Sequence, residues 1–220
     1  MKTSLTVPLA IIAGGIIVAG AVYFSIAEPT AADGNPSLVR PVSATDHILG
    51  NPTAPVVIIE YSDFDCDFCR GFHDTLHQII VDEAASGNVA WVFRQFPLSE
   101  IHPNARSHAR ASECAASVAG NDAFWKFSDA LFSAQPADPS NYGTLAASAG
   151  ISGDAFATCY STVPTDLDER IDADRQNALD MGARGTPYSV ILVNGENPVV
   201  MAGGYSYDAV RQLVDQALAQ

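Results

Sequence analysis

Glu60-Tyr61-Ser62-Asp63-Phe64-Asp65-Cys66-Asp67-Phe68-Cys69 is the stretch on which the reading of this chain turns. It continues the β-branched run Val56-Val57-Ile58-Ile59, which lacks polar alternation and so predicts a strand buried on both faces. After it, Phe72, Leu76, Ile79 and Ile80 recur at helical spacing, which predicts a helix over 66 to about 85. The two thiols therefore sit where a strand gives way to a helix N-terminus. Unsatisfied backbone donors and the positive end of the helix dipole favour a thiolate there, so Cys66 is the expected nucleophile and Cys69, one turn in, the more buried resolving partner. A structural disulfide and half of a zinc site are the competing readings. Zinc would want a second close pair of ligands, such as another C-x2-C, and the chain has none.

Residues 89–95 read as a second strand, which makes the opening a β-α-β unit. From 103 to 181 the pattern changes to helical segments at 105–119, 123–134, 142–149, 153–160 and 166–181, separated by turn signals such as Gly120-Asn121-Asp122. Strands return at 188–193 and 198–202, joined through a short loop that begins Asn194-Gly195, and Ser206 is placed to cap a last helix. The order predicts one α/β domain over 46–220 with a helical insertion at about 103–181. Phe124, Trp125, Phe127, Leu131 and Phe132 fall at helical spacing and are expected to be core.

Upstream, residues 5–27 contain no charged side chain and are long enough to cross a bilayer as one helix. Lys2 precedes them, so the positive-inside bias keeps the N-terminus cytoplasmic and exports the rest. Residues 1–28 are thus expected to be an N-terminal transmembrane anchor of a single-pass protein whose domain faces the periplasm or cell exterior. Ser25-Ile26-Ala27 would suit a cleaved signal peptide instead, which would make the protein secreted. Residues 29–45, rich in Pro, Ala, Gly, Ser and Asp, read as a flexible linker. With 25 Asp and Glu against 11 Lys and Arg, the formal net charge of −14 argues against nucleic acid and anionic lipid as partners.

Three motifs carry a resemblance. The Glu60 to Cys69 stretch, Phe96-Pro97-Leu98 with His102-Pro103-Asn104-Ala105, and Gly185-Thr186-Pro187 follow one another as in the DsbA-like thiol-disulfide oxidoreductases, which the chain resembles from residue 46 to its C-terminus. The resemblance implies a thioredoxin-like fold with an inserted all-helical subdomain, and an enzyme that forms disulfides in exported proteins bearing thiols and is reoxidised by a membrane redox partner. It implies no organic cofactor, because the cysteines carry the electrons. Glu60 resembles the acid that exchanges protons with the buried cysteine of such proteins, and Thr186-Pro187 resembles the cis-proline loop that receives an extended substrate peptide. In an oxidising compartment Cys114 and Cys159, both in the helical block, are expected to form a second, structural disulfide, with a regulatory role as the alternative.

Asp67 departs from the family pattern. A carboxylate beside Cys66, with Asp63 and Asp65 near, is expected to raise the Cys66 pKa and weaken the oxidant, which keeps a reductase or isomerase open. A dimerisation module of the kind isomerases usually carry is not expected from this sequence, and a monomer is expected. A redox-inert peptide-binding module is the reading from another class, and the intact cysteine pair argues against it. His73 and His77, four apart, have a metal-ligand spacing but no third ligand in view, so a solvated helix face is expected and no metal. His102 is expected at the surface or in packing, and nothing distinguishes His108.

Overall fold

The computed structural model describes residues 34–162 and 164–220, so the anchor expected over 1–28 and the first residues of the linker lie outside the described part. Among the described residues no helix is long and apolar enough to cross a membrane.

The strand read from its unbroken β-branched run is β2 (Val56–Ser62), which leads into the first α-helix among the described residues, α1 (Asp67–Glu83), and returns parallel as β3 (Val89–Gln95). Period-2 alternation sends Val56 and Ile58 into the core under α1, while Ile59 and Tyr61 enter a second cluster on the opposite face. Glu60 shares the α1 side with Val56 and Ile58, and it is wholly buried. The hairpin of β4 (Tyr188–Val193) and β5 (Glu196–Ala202) completes the sheet on the other flank, with β4 antiparallel to β2. Its turn is tighter than expected: Asn194 and Gly195 both have positive φ, 51° and 81°, so two residues close it and β5 starts at Glu196 rather than 198. The last helix, α7 (Tyr207–Leu218), begins with Ser206 accepting from the amide of Ala209.

Between β3 and β4 lie five helices among the described residues: α2 (Ala105–Ala119), α3 (Asn121–Ser133), α4 (Tyr142–Ser148), α5 (Gly153–Thr162) and α6 (Thr165–Asp180). Phe124, Trp125, Phe127, Leu131 and Phe132 are buried in this block. A disulfide joins Cys114 of α2 to Cys159 of α5.

Two features depart from the sequence reading. A short strand, β1 (His47–Gly50), extends the sheet to the order β1-β3-β2-β4-β5 by pairing antiparallel with β3. Its four residues carry no alternation to announce them, and a Cβ on Gly50, at φ 94°, would meet the carbonyl oxygen of Val89 at 2.8 Å. The flexible linker expected over 29–45 is also corrected across its described part. Val39 and Val42 pack on the sheet, the amide of Arg40 donates to Asn177 Oδ1 at 3.0 Å, and Asn177 Nδ2 donates to the carbonyl of Leu38 at 2.7 Å. Arg94 of β3, 1% exposed, donates to the carbonyls of Arg40 and Pro41 while its guanidinium grips Asp46 at 2.8 Å. Composition suggested a coil, but apolar Val39 and Val42 and a buried arginine in need of acceptors hold it down.

Candidate active site

Cys66 occupies the N-cap of α1 in extended backbone, so its sulfur faces the free amides of the first turn. Both cysteines are unbonded thiols; Cys66 is 7% exposed and Cys69 fully buried. Across from them the Thr186-Pro187 bond is cis, and the Cys66 thiol donates to the Thr186 carbonyl at 3.5 Å. The Cys69 thiol is the main cause that pulls the Cys66 pKa down to about 6; burial opposes it, and Thr186 and the amides of Cys69 and Phe68 assist. Cys69 moves the other way, pushed well above the ordinary thiol range by burial first, then by Cys66 and Glu60. Phe68, between the two, is 74% exposed, an apolar side chain at the mouth of the site that sequence reading did not single out.

Glu60 lies beneath this pair at the end of β2. Burial lifts its carboxyl to about 8, against the pull of Ser62 and Trp91, and the charge of Cys66 adds to the rise. Trp91 Nε1 donates to its Oε2 at 3.1 Å, while Oε1 is buried without a hydrogen-bond partner. A carboxyl with one oxygen fixed and one unclaimed is equipped to carry a proton at neutral pH.

The expectation that nearby carboxylates would raise the Cys66 pKa is overturned, because each carboxylate has another partner. Asp63, its side chain wholly buried, accepts from the amide of Asp65 at 2.8 Å, from the amide of Leu98 at 2.7 Å, and from His102 Nδ1 at 2.9 Å. Burial works against protonation of His102, yet the bond to Asp63 and the charges of Asp63, Cys66 and Asp65 carry its pKa upward. Asp65 stands 3.0 Å from Nε2 of His108, a fully buried ring whose Nδ1 is hydrogen-bonded to the hydroxyl of Tyr142. Asp67 points outward, 81% exposed, and meets Arg70 at 3.1 Å. His102 and His108 thus fasten the loop before Cys66 to the start of the helical block, a role hidden by a sequence separation of 39 residues between Asp63 and His102. The Phe96-Pro97-Leu98 and His102-Pro103-Asn104-Ala105 motifs were the available signal.

The solvated face expected at His73 and His77 is corrected too. His73 is 2% exposed, and both rings turn toward the carboxylate of Asp129 on α3, a third residue that no local pattern reveals.

Two thiols whose pKa values are driven apart at a helix N-terminus suit disulfide exchange, and on this sheet with this helical insertion they define the class: a thioredoxin-fold thiol-disulfide oxidoreductase of the DsbA-like kind. The chain belongs to the thioredoxin family, whose model, described as Thioredoxin, matches residues 42–216. Among solved structures it is similar to BdbD from Bacillus subtilis, with 25% identity, a TM-score of 0.68, and coverage of 82% of this chain and 97% of that one. Wolbachia pipientis alpha-DsbA1 shares the fold at 23% identity and a TM-score of 0.70, over 83% of this chain and 95% of that one. Pseudomonas aeruginosa DsbA2 shares it at 24% identity and 0.66, over 80% and 96%. Curated relatives include the Na(+)/H(+) antiporter NhaA 1 of Mycolicibacterium gilvum, 33% identical over 162 residues that are 72% of this chain. The chain spans 25% of that protein's length, and the antiport in its name is not carried over.

Proposed function

We propose that this protein forms disulfides in exported proteins, cycling Cys66 and Cys69 between disulfide and dithiol on the extracytoplasmic side of a membrane. The observation that carries the reading is the opposed displacement of the two thiols, Cys66 down to about 6 and Cys69 far up. A sulfur that is thiolate at neutral pH is a good leaving group and stabilises the reduced form, which makes the disulfide oxidising.

A client thiolate attacks Cys66 Sγ of the disulfide, the Cys66–Cys69 bond breaks, and Cys69 leaves as a thiolate. Its high proton affinity draws a proton from the Glu60 carboxyl, which is protonated below about 8. The client's second thiolate then attacks the client sulfur of the mixed disulfide, Cys66 departs as a stable thiolate, and a membrane redox partner removes the two electrons. The Thr186 carbonyl beside Cys66 supports this loop as the place where an extended client lies, with Phe68 offering it an apolar contact. The disulfide Cys114–Cys159 and the uncharged stretch 5–27 support an exported, membrane-anchored domain.

The test is the reduction potential of Cys66/Cys69, equilibrated in glutathione buffers with Cys114 and Cys159 intact. A value near about −120 mV is expected; one near about −200 mV or below makes the protein a reductase or isomerase. A pair that glutathione cannot cycle, or a Cys66→Ser variant that still oxidises a reduced peptide, removes the reading altogether.

A further inference from the structure

His73, His77 and Asp129 take no part in the dithiol chemistry above. His73 and His77 project from successive turns of α1, and Nε2 of each approaches the same oxygen, Asp129 Oδ1 of α3, at 2.8 Å. One donor atom from each of the three residues falls within a sphere where every pair is 4.8 Å or less apart. The cluster opens onto a cavity of about 290 Å³, to which Asp74 adds a second carboxylate and Arg70 a guanidinium already engaged with Asp67. Exposure is graded across the three side chains: 3% for His73, 32% for His77 and 46% for Asp129. One ligand is therefore anchored in the core, where His73 packs on Trp91 at 5.0 Å and on Phe132 at 4.5 Å, while the other two border the opening.

We propose that His73, His77 and Asp129 form a binding site for a divalent first-row transition ion of the zinc class, with three protein ligands and water in the open position. Two imidazoles and a carboxylate on one side of an accessible cavity are the donor set such ions prefer. An ion between the three atoms takes over from the shared hydrogen bonds: each ring carries its proton on Nδ1, each Nε2 offers its lone pair, and Asp129 stays ionised. The site clips α1, which carries Cys69 and is capped by Cys66, to α3 of the helical block.

The test uses the full, untagged chain in detergent with Cys66 and Cys69 oxidised to a disulfide, so that no thiolate competes. Zn²⁺ is titrated calorimetrically and Co²⁺ by its visible absorption. One equivalent should bind and raise the melting temperature. His77→Ala and Asp129→Asn, both at partly exposed positions, should each weaken binding at least about tenfold, since even a disturbed outer partner of a metal ligand acts on that scale. X-ray absorption at the zinc edge of the unsubstituted protein should count two imidazoles, which reads the site without any variant. Absence of stoichiometric binding, binding unchanged in both variants, or fewer than two imidazoles would overturn the proposal and leave the three residues as a hydrogen-bonded staple between two helices.

Discussion

Cys66 and Cys69 are the same chemical group three residues apart, and their surroundings move their protons in opposite directions. Titration of the reduced protein by the ultraviolet absorbance of the thiolate should give a first midpoint near 6. Asp67→Asn should shift it by a few tenths of a unit at most, because an outward carboxylate paired with Arg70 is screened by solvent; a shift of a full unit would restore Asp67 as a determinant. Glu60 makes a separate prediction. Its folded pKa, about 8, exceeds the ordinary 4.5, so between those values the folded protein holds a proton that the unfolded chain has released. Glu60 therefore costs increasing stability as pH rises through that window, and Glu60→Gln should flatten the decline. Denaturation midpoints at the acid and alkaline ends would show it: variant and parent alike near pH 4.5, the variant relatively more stable near pH 8. The same substitution should slow oxidation of a dithiol peptide, since Cys69 then leaves without a proton donor.

At the scale of elements, the helical block depends on covalent closure and the N-terminal segment on polar ties. The Cys114–Cys159 bond closes a loop of 45 residues, for which the chain-entropy estimate is about 4 kcal/mol. The double variant Cys114→Ser/Cys159→Ser should melt about 10 °C lower with the Cys66 midpoint unmoved. Arg94 serves β3, Asp46 and the carbonyls of Arg40 and Pro41 together. Arg94→Ala leaves Asp46 with only its Ser43 hydrogen bonds and the carbonyls of Arg40 and Pro41 without their donor, and should cost about 3 kcal/mol. Limited proteolysis should then cut the segment between Pro36 and Asp46, and resistance to cutting would show that Val39, Val42 and the Asn177 hydrogen bonds hold it without Arg94.

Over the whole molecule, redox state and pH are linked. The Cys66 thiolate stabilises the fold only when the pair is reduced; since its folded pKa lies below the ordinary 9.0, that contribution is present in full above 9.0 and fades as pH falls through about 6. The melting temperature of the reduced protein relative to the oxidised one should thus rise from pH 5 to pH 8, and a relative rise on acidification would contradict the assignment. Most elements were legible because each rests on local pattern: the β-branched run of β2, the helical spacing of Phe72, Leu76, Ile79 and Ile80, and the turn at Asn194-Gly195. What escaped depends on distant partners. β1 exists by pairing with β3, the 36–46 segment is held by Arg94 and Asn177, and Asp63, Asp65 and Asp129 find their histidines only once the helical block folds back. One arrangement has a further use. The chain's two tryptophans, Trp91 and Trp125, touch at 4.5 Å between centroids, and Trp91 also meets Glu60 and the ring of His77. The protein's tryptophan emission therefore originates in one small region beside Glu60, an unengineered lamp whose colour and brightness should change when that carboxyl gains or loses its charge.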